Sequence, residues 1–257
     1  MKNFILKRFA LAIIGLGIVV SLGFTPTSGT STDHGFAVIE LFTSEGCSSC
    51  LPADELIAKI EKEYHTGPVY VLAYHVSYWN NAAWRDKFSS AVFTQRQLHY
   101  ARQLKIGEGP YTPQAIINGT KEMIGADEKQ VRQALGDALT EVTDSELTIN
   151  NPVIKNGDIA VNYQTRGGDT HTLLQLVLVQ KNAVRKVLQG ENKGRTLSHI
   201  QIVSEFKTIS LKGKETGVAH NSLKPGAFPA DFELIGFLQD AVKGNIIAAD
   251  RTPLIIK

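Results

Sequence analysis

The chain has 257 residues, 43% of them hydrophobic and 20% charged, which suits one large or two modest folded domains and excludes a disordered chain. Three of its 27 basic residues, Lys2, Lys7 and Arg8, precede the first acidic one, Asp33, so the remainder holds 24 basic against 25 acidic residues, and no basic nucleic-acid-binding domain is expected. Its two cysteines, Cys47 and Cys50, are too few for a disulfide framework or a four-cysteine zinc site.

Residues 2–8 carry the three early positive charges, and residues 9–24 (FALAIIGLGIVVSLGF) carry none. A polar, Pro- and Gly-containing stretch follows. This is the layout of a secretory signal over 1–29, with an uncleaved N-terminal anchor as the alternative because an A-x-A cleavage pattern is missing. No cysteine stands near the end of the apolar run, so a lipid anchor of the lipobox kind is excluded. The expected location is the periplasm or the extracellular space, where a disulfide persists. Membrane contact is expected only through residues 9–24, and only if they are retained.

Residues 36–43 (FAVIELFT) read as a buried strand interrupted by Glu40. The cysteine pair comes next. Residues 51–65 have helical spacing, with Leu56, Ile57, Ile60 and Tyr64 on one stripe. Residues 68–76 (PVYVLAYHV) are nearly continuously apolar, as strands covered on both faces are. An aromatic loop or short helix spans 77–88, and a helix 90–104. A turn-rich loop leads to a strand over 114–119 that ends in Asn-Gly. KEMIG supplies a short fourth strand, and 127–139 a helix with Asp127 near its cap.

Beyond residue 140 the pattern changes to alternation. Strands are expected at 158–165, 171–180, 183–190, 197–211, 231–240 and 244–250, with Gly167-Gly168 as a turn and a closing hairpin around 242–245. The boundary falls between 140 and 148. The parts are 33–142, α/β, and 143–257, mostly antiparallel β and sandwich-like.

The spacing of Cys47 and Cys50, between a buried strand and a helix, places both sulfurs at a helix start within disulfide reach. There the helix end favours a thiolate on Cys47, which attacks or leaves, while Cys50 resolves the mixed disulfide. Two other readings stand beside this one. The pair is an inert staple of the first helix turn, or half of a metal site completed by His75 or another histidine. Only Met1 and Met123 are methionines, which speaks against a copper version of the latter. Pro113, directly before a buried strand, cannot donate to the ladder.

Three stretches carry a resemblance: FTSEGCSSC with PAD (42–54), HVSYW with W and DKF (75–88), and YTPQAIING (111–119). With GENKGRTLSH (190–199) they resemble an uncharacterised family of exported thioredoxin-like proteins, over nearly the whole chain after the export signal. The resemblance implies a thioredoxin-like domain with an insertion, a cis peptide before Pro113, and a Thr112 backbone that pairs with an extended substrate beside the cysteines. Leu51 stands where the family has a proline, and Ser77 and Asn80 where acidic residues are frequent.

Other residues have two readings each. Glu40 is a buried acid that assists Cys50, or it pairs at a sheet edge or with a lysine. His75 donates to the Cys47 thiolate or takes its proton. Tyr78, Trp79, Trp84 and Tyr111 floor a substrate groove, or the first three pack the 77–100 insertion onto the sheet, Trp84 more so than Trp79. Glu45 reads as a solvated loop charge, and Arg85, Asp86 and Arg96 as local ion pairs. The 190–199 segment contacts the thioredoxin-like part or a partner, with His199 as its one titratable switch candidate, or it is a hairpin turn without chemistry. The combined expectation is thiol-disulfide exchange by Cys47 and Cys50 with no cofactor, acting on a protein or small thiol or disulfide with a separate redox partner. The rival is a thioredoxin-like scaffold or binding protein with a structural disulfide, and a metal chaperone is the weaker one.

Overall fold

The computed structural model of the chain describes residues 35–211 and 215–254. The expected export segment lies outside them. Among the described residues no helix is long and apolar enough to cross a membrane.

Strand β1 (Ala37–Thr43) leads through a short 3-10 turn (Ser48–Cys50) into helix α1 (Leu51–Tyr64). Strand β2 (Val69–His75) returns parallel to β1, in register from Ala37 opposite Val69 to Thr43 opposite His75. Helix α2 (Ala91–Gln103) starts at Ser90, whose side chain accepts from the Val92 amide. Strands β3 (Gln114–Ile117) and β4 (Lys121–Ile124) form a hairpin antiparallel to β1, and helix α3 (Glu128–Thr140) follows, capped by Asp127. Each of these elements matches its sequence expectation to within one or two residues.

Every residue of β1 and β2 is buried, because both faces are covered. Side-chain alternation sends Ala37, Ile39 and Leu41 into one core with Leu56, Ile57 and Ile60 of α1 and Val131 and Leu135 of α3. It sends Val38 and Phe42 into a second core with Phe93 and Tyr100 of α2.

The later strands are β5 (Glu146–Lys155), β6 (Asp158–Arg166), β7 (Thr172–Lys186), β8 (Thr196–Ser210), β9 (Thr216–Ser222), β10 (Phe232–Asp240) and β11 (Ile246–Pro253). They differ from expectation in three places. The strands expected at 171–180 and 183–190 are one 15-residue strand, β7, which continues past its polar residues because β8 pairs with it as far as Lys186 opposite Thr196. Strands β5 and β9 have no counterpart in the sequence reading. In β5 the Asn150-Asn151-Pro152 run looks like a loop; the structure accommodates it as a register shift between Asn150 and Val153, with Asn151 at a φ of 52°.

The strands make two sheets. One runs β11-β10-β7-β8-β2-β1-β3-β4, and the other β5-β6-β9. Leu147, Ile149, Val161 and Tyr163 of the small sheet pack on Leu174, Leu176, Leu178 and Leu234 of the large one. The position between 142 and 143 falls between α3 and β5, yet the large sheet crosses it, through parallel contact of β8 with β2 at Ile202 and Ala73. The α2-side core crosses it too: Val177, Val179, Val203 and Phe237 share it with Phe42 and Tyr74.

Glu40 lies on the α2 face, opposite to α1. Its carboxylate accepts from Arg96 through Nε and through Nη2 at 2.8 Å, and from the Tyr100 hydroxyl; Arg96 also reaches Gln239 Oε1 at 3.3 Å. Arg96 is thus held inside the core by one full counter-charge. Removing one member of such a pair leaves an uncompensated buried charge, whereas removing both does not. Arg96→Met is therefore expected to cost about 3–5 kcal/mol of stability in urea unfolding. The double variant Glu40→Leu/Arg96→Met should recover most of that loss.

Candidate functional site around the cysteine pair

The site is built where β1 ends. Cys47 and Cys50 are disulfide-bonded, and Cys50 is the residue before the first turn of α1. The Cys47 amide donates to Ser44 O and the Cys50 amide to Cys47 O, which folds the loop tightly ahead of the helix. Thr112 Oγ1 is 3.4 Å from Cys47 Sγ, and Trp79 Nε1 donates to Thr112 Oγ1 at 2.8 Å. The Thr112–Pro113 peptide is cis. The first strand, the loop after the second, and the segment before the third therefore meet at one sulfur.

Beside this meeting point lies a groove of about 620 Å³, lined by Ser49, Tyr111, Thr112, Pro113, Glu122 and Ile124 among others. The Tyr111 hydroxyl donates to Glu122, and Tyr111 O accepts from Gln97 Nε2 at 2.7 Å. Of the expected floor residues, Tyr111 lines this groove. Trp79 is half-buried against Thr112, and Tyr78 remains largely exposed. Trp84 is buried with Val187, Leu197 and Leu51, as a packing residue of the insertion.

Both cysteines have 0% exposure, although the two serines between them are exposed. The loop that carries Cys47 is held from the far half of the chain, by the turn joining β7 to β8. Asn192 is fully buried there, and its Nδ2 donates to Glu45 O and to Cys47 O at 3.0 Å each. Glu191 Oε2 accepts from the Ser48 amide at 2.9 Å and from Ser48 Oγ at 2.7 Å. These contacts hold the Glu191 carboxyl below its ordinary range. The expected hairpin turn is present at 190–199, and it belongs to the site.

His75 does not face Cys47 as a simple partner. Its Nδ1 is 2.7 Å from Asp86 Oδ2, and both side chains are fully buried. Asp86 also accepts from the Glu45 amide at 2.9 Å and from the Phe88 amide at 2.9 Å. His199 of β8 stands against His75, ring centroids 5.0 Å apart. Its Nε2 is 3.6 Å from Glu45 Oε1 and its Nδ1 3.9 Å from Asp54 Oδ2. Asp54 lies four residues after Cys50, on the same face of the α1 start, and accepts from Thr43 Oγ1 at 3.0 Å. Glu45, expected as a solvated loop charge, is fully buried and pairs with Arg185 Nε at 3.2 Å. The 190–199 hairpin brings the compensating groups to it.

A cavity of about 10 Å³ separates Asp54, His75 and His199, room for about one water molecule. His75 Nε2, His199 Nε2 and Glu45 Oε2 have no hydrogen-bond partner. Among the described residues no group of three or more His, Cys, Asp or Glu is arranged to hold a metal ion. Burial raises the Asp54 carboxyl. Burial opposes ionisation of Asp86, but the facing His75 and the amides of Glu45 and Phe88 bring it down to about 2. Burial likewise opposes the His75 imidazolium, and the charges of Asp86, Asp54 and Glu45 outweigh it and raise His75 above its ordinary 6.5.

The sequence reading identified Cys47, Cys50, Thr112, Pro113 and His75, and these stand together or one residue apart in space. Glu40 is on the other face of the sheet. Glu45, Asp54, Asp86, Asn192 and His199 went unrecognised as a set. All five lie in the stretches that carry the family resemblance: Glu45 and Asp54 in FTSEGCSSC with PAD, Asp86 in DKF, and Asn192 and His199 in GENKGRTLSH.

Comparison with known proteins places these features in a family. The DUF1223 family, described as a protein of unknown function, matches residues 38–239, a span that includes every site residue named above. The crystal structure of protein AGR_C_4864 from Agrobacterium tumefaciens, a structural-genomics target, is similar at 25% identity with a TM-score of 0.64, over 86% of this chain and 95% of that one. Two β-glucosidase structures from Kluyveromyces marxianus match 44% of this chain and 14% of theirs at 13% identity, with TM-scores of 0.23 and 0.20, too low to carry an argument. No curated protein matches.

The raised His75 has a measurable consequence. Above pH 6.5 the unfolded chain has released this proton while the folded protein still holds it. Stability is therefore fully present below 6.5 and falls as pH rises through the folded-state value. Asp86→Asn removes the main group that holds the proton. Urea midpoints measured from pH 6 to about 8 are expected to fall in the native protein and to stay flatter in the variant. Equal slopes would assign the decline to other groups.

Proposed function

This chain belongs to the DUF1223 family, and we propose that it is an exported thiol-disulfide oxidoreductase acting through Cys47 and Cys50. The observation that carries this reading is the contact of Thr112 Oγ1 with Cys47 Sγ beside the Tyr111–Ile124 groove. A redox-active sulfur needs a substrate-sized space next to it, and here a pre-formed one adjoins the first cysteine. The fold reading that goes with it is a thioredoxin-like arrangement over 33–142 with an insertion after His75, followed by the β-rich part. The apolar run at 9–24 supports export, and the exported compartment supports the disulfide.

In the oxidised protein a substrate thiolate attacks Cys47 Sγ. A new S–S bond forms to Cys47 while the Cys47–Cys50 bond breaks, and the Cys50 sulfur leaves with the electron pair and takes up a proton. A second substrate thiolate then attacks the substrate sulfur of the mixed disulfide, and Cys47 leaves as a thiolate at the helix start, where the dipole favours it. The substrate loses two electrons to the pair and becomes a disulfide. A partner carrying a disulfide reverses these steps and restores the Cys47–Cys50 bond. Substrate and partner are thus thiol or disulfide compounds, proteins or small molecules, and no cofactor takes part.

A second reading has its own observation. Both sulfurs are wholly buried, which is what an inert clasp on the first turn of α1 requires. The two readings part on one variant. Cys50→Ala, expressed in the native compartment, is expected to accumulate mixed disulfides on Cys47, seen by non-reducing electrophoresis and mass spectrometry. Absence of adducts, with Cys47→Ala changing thermal stability alone, would leave the clasp.

A further inference from the structure

We infer that the tip of the β7–β8 hairpin, Gly190–Gly194, is a gate over the disulfide, with Asn192 as its plug and Glu191 as its latch. This rests on the exchange reading, which requires Cys47 to be reached, and it reconciles that reading with the burial of both sulfurs.

The plug is chemically unusual. A buried asparagine is held by its hydrogen bonds, and Asn192 spends its amide on the carbonyls of Glu45 and Cys47. Its Oδ1, also buried, has no partner. Leaving the site would give that oxygen water to bond with, so withdrawal regains part of what it loses. A side chain fixed only for packing would be apolar or fully satisfied.

The tip has few bonds of its own. Lys193 N donates to Gly190 O within it, while Arg195 N to Asn192 O and Gly194 N to Val187 O join it to its stem. Gly190 and Gly194, at φ of 79° and 86°, bracket it in the left-handed region, where a glycine changes conformation at little cost. A Cβ on Gly190 would sit 3.4 Å from Gly46 Cα, which shows how closely the tip lies on the cysteine loop. Below the tip, Val187 and Leu197 are anchored with Trp84 and Leu51, and the Val187 amide donates to Arg195 O. The stem is therefore fixed, and the glycine-bracketed part beyond it is the part that lies on the Cys47 loop. The latch is exposed on both sides, Glu191 and Ser48 alike, so water competes for it.

A closed gate slows any reagent that must touch the sulfurs, in proportion to the rarity of the open state. The test is the rate at which dithiothreitol reduces the Cys47–Cys50 bond in the folded full chain, followed by thiol release. Asn192→Ala is expected to react about tenfold faster than the native protein, from the loss of one or two ordinary hydrogen bonds. Glu191→Gln, at an exposed position that leaves the fold intact, should gain roughly threefold. Leu188→Ala, exposed in the same turn and without contact to the cysteine loop, should match the native rate. Native rates in both Asn192→Ala and Glu191→Gln overturn the gate. If Asn192→Ala does not fold, Glu191→Gln decides alone, an unchanged rate overturning the proposal and a faster one supporting it. Failure of the exchange reading looks different: the Cys50→Ala adducts are then missing while the dithiothreitol rates still separate the variants.

Discussion

The arrangement depends on the seam where β8 lies beside β2. Its register contact is short, Ile202 opposite Ala73, but it joins strands from the two halves of the sequence into one sheet. Because β8 enters at that point, His199 stands against His75, and the turn that precedes β8 reaches the loop after β1. Without the seam, Glu45 would lack Arg185 and His199, and the Cys47 loop would face solvent. The β-rich half is therefore part of the site, not an appendage to it.

The large sheet keeps two buried ionic systems apart, one on each face. On the α2 face, Glu40 and Arg96 compensate each other, with Tyr100 and Gln239 completing the shell. On the α1 face, three carboxylates, two imidazoles and one guanidinium share a smaller and less complete network, with several atoms unpartnered. A fully satisfied buried network rigidifies a core, and the network that leaves imidazole and carboxylate atoms unpartnered is the one beside the cysteine pair.

The sequence made the first half legible because its signals are local. Apolar runs marked β1 and β2, Ser90 and Asp127 marked helix starts, and Asn118-Gly119 marked the β3–β4 turn. The second half was less legible where pairing overrode local chemistry. Pro152 disguised β5, and polar Gln180 to Asn182 hid the continuity of β7. In the site, Cys47, Cys50, His75, Thr112 and Pro113 could be found because short motifs carry them. Asn192 and His199 meet their partners across more than a hundred residues, and no spacing rule brings Glu45 to Arg185. Glu40 shows the converse: alternation along β1 already placed it with Val38 and Phe42, opposite Leu41, so its remoteness from α1 could have been read from parity alone.

Asn192 follows Cys47 by 145 positions. At ordinary synthesis rates of about 5–20 residues per second, the cysteines emerge roughly seven to thirty seconds before the asparagine that will lie on their loop. Throughout that interval the nascent chain presents both thiols bare. Whatever oxidises them has that window in which to reach the thiols before the hairpin lies on their loop.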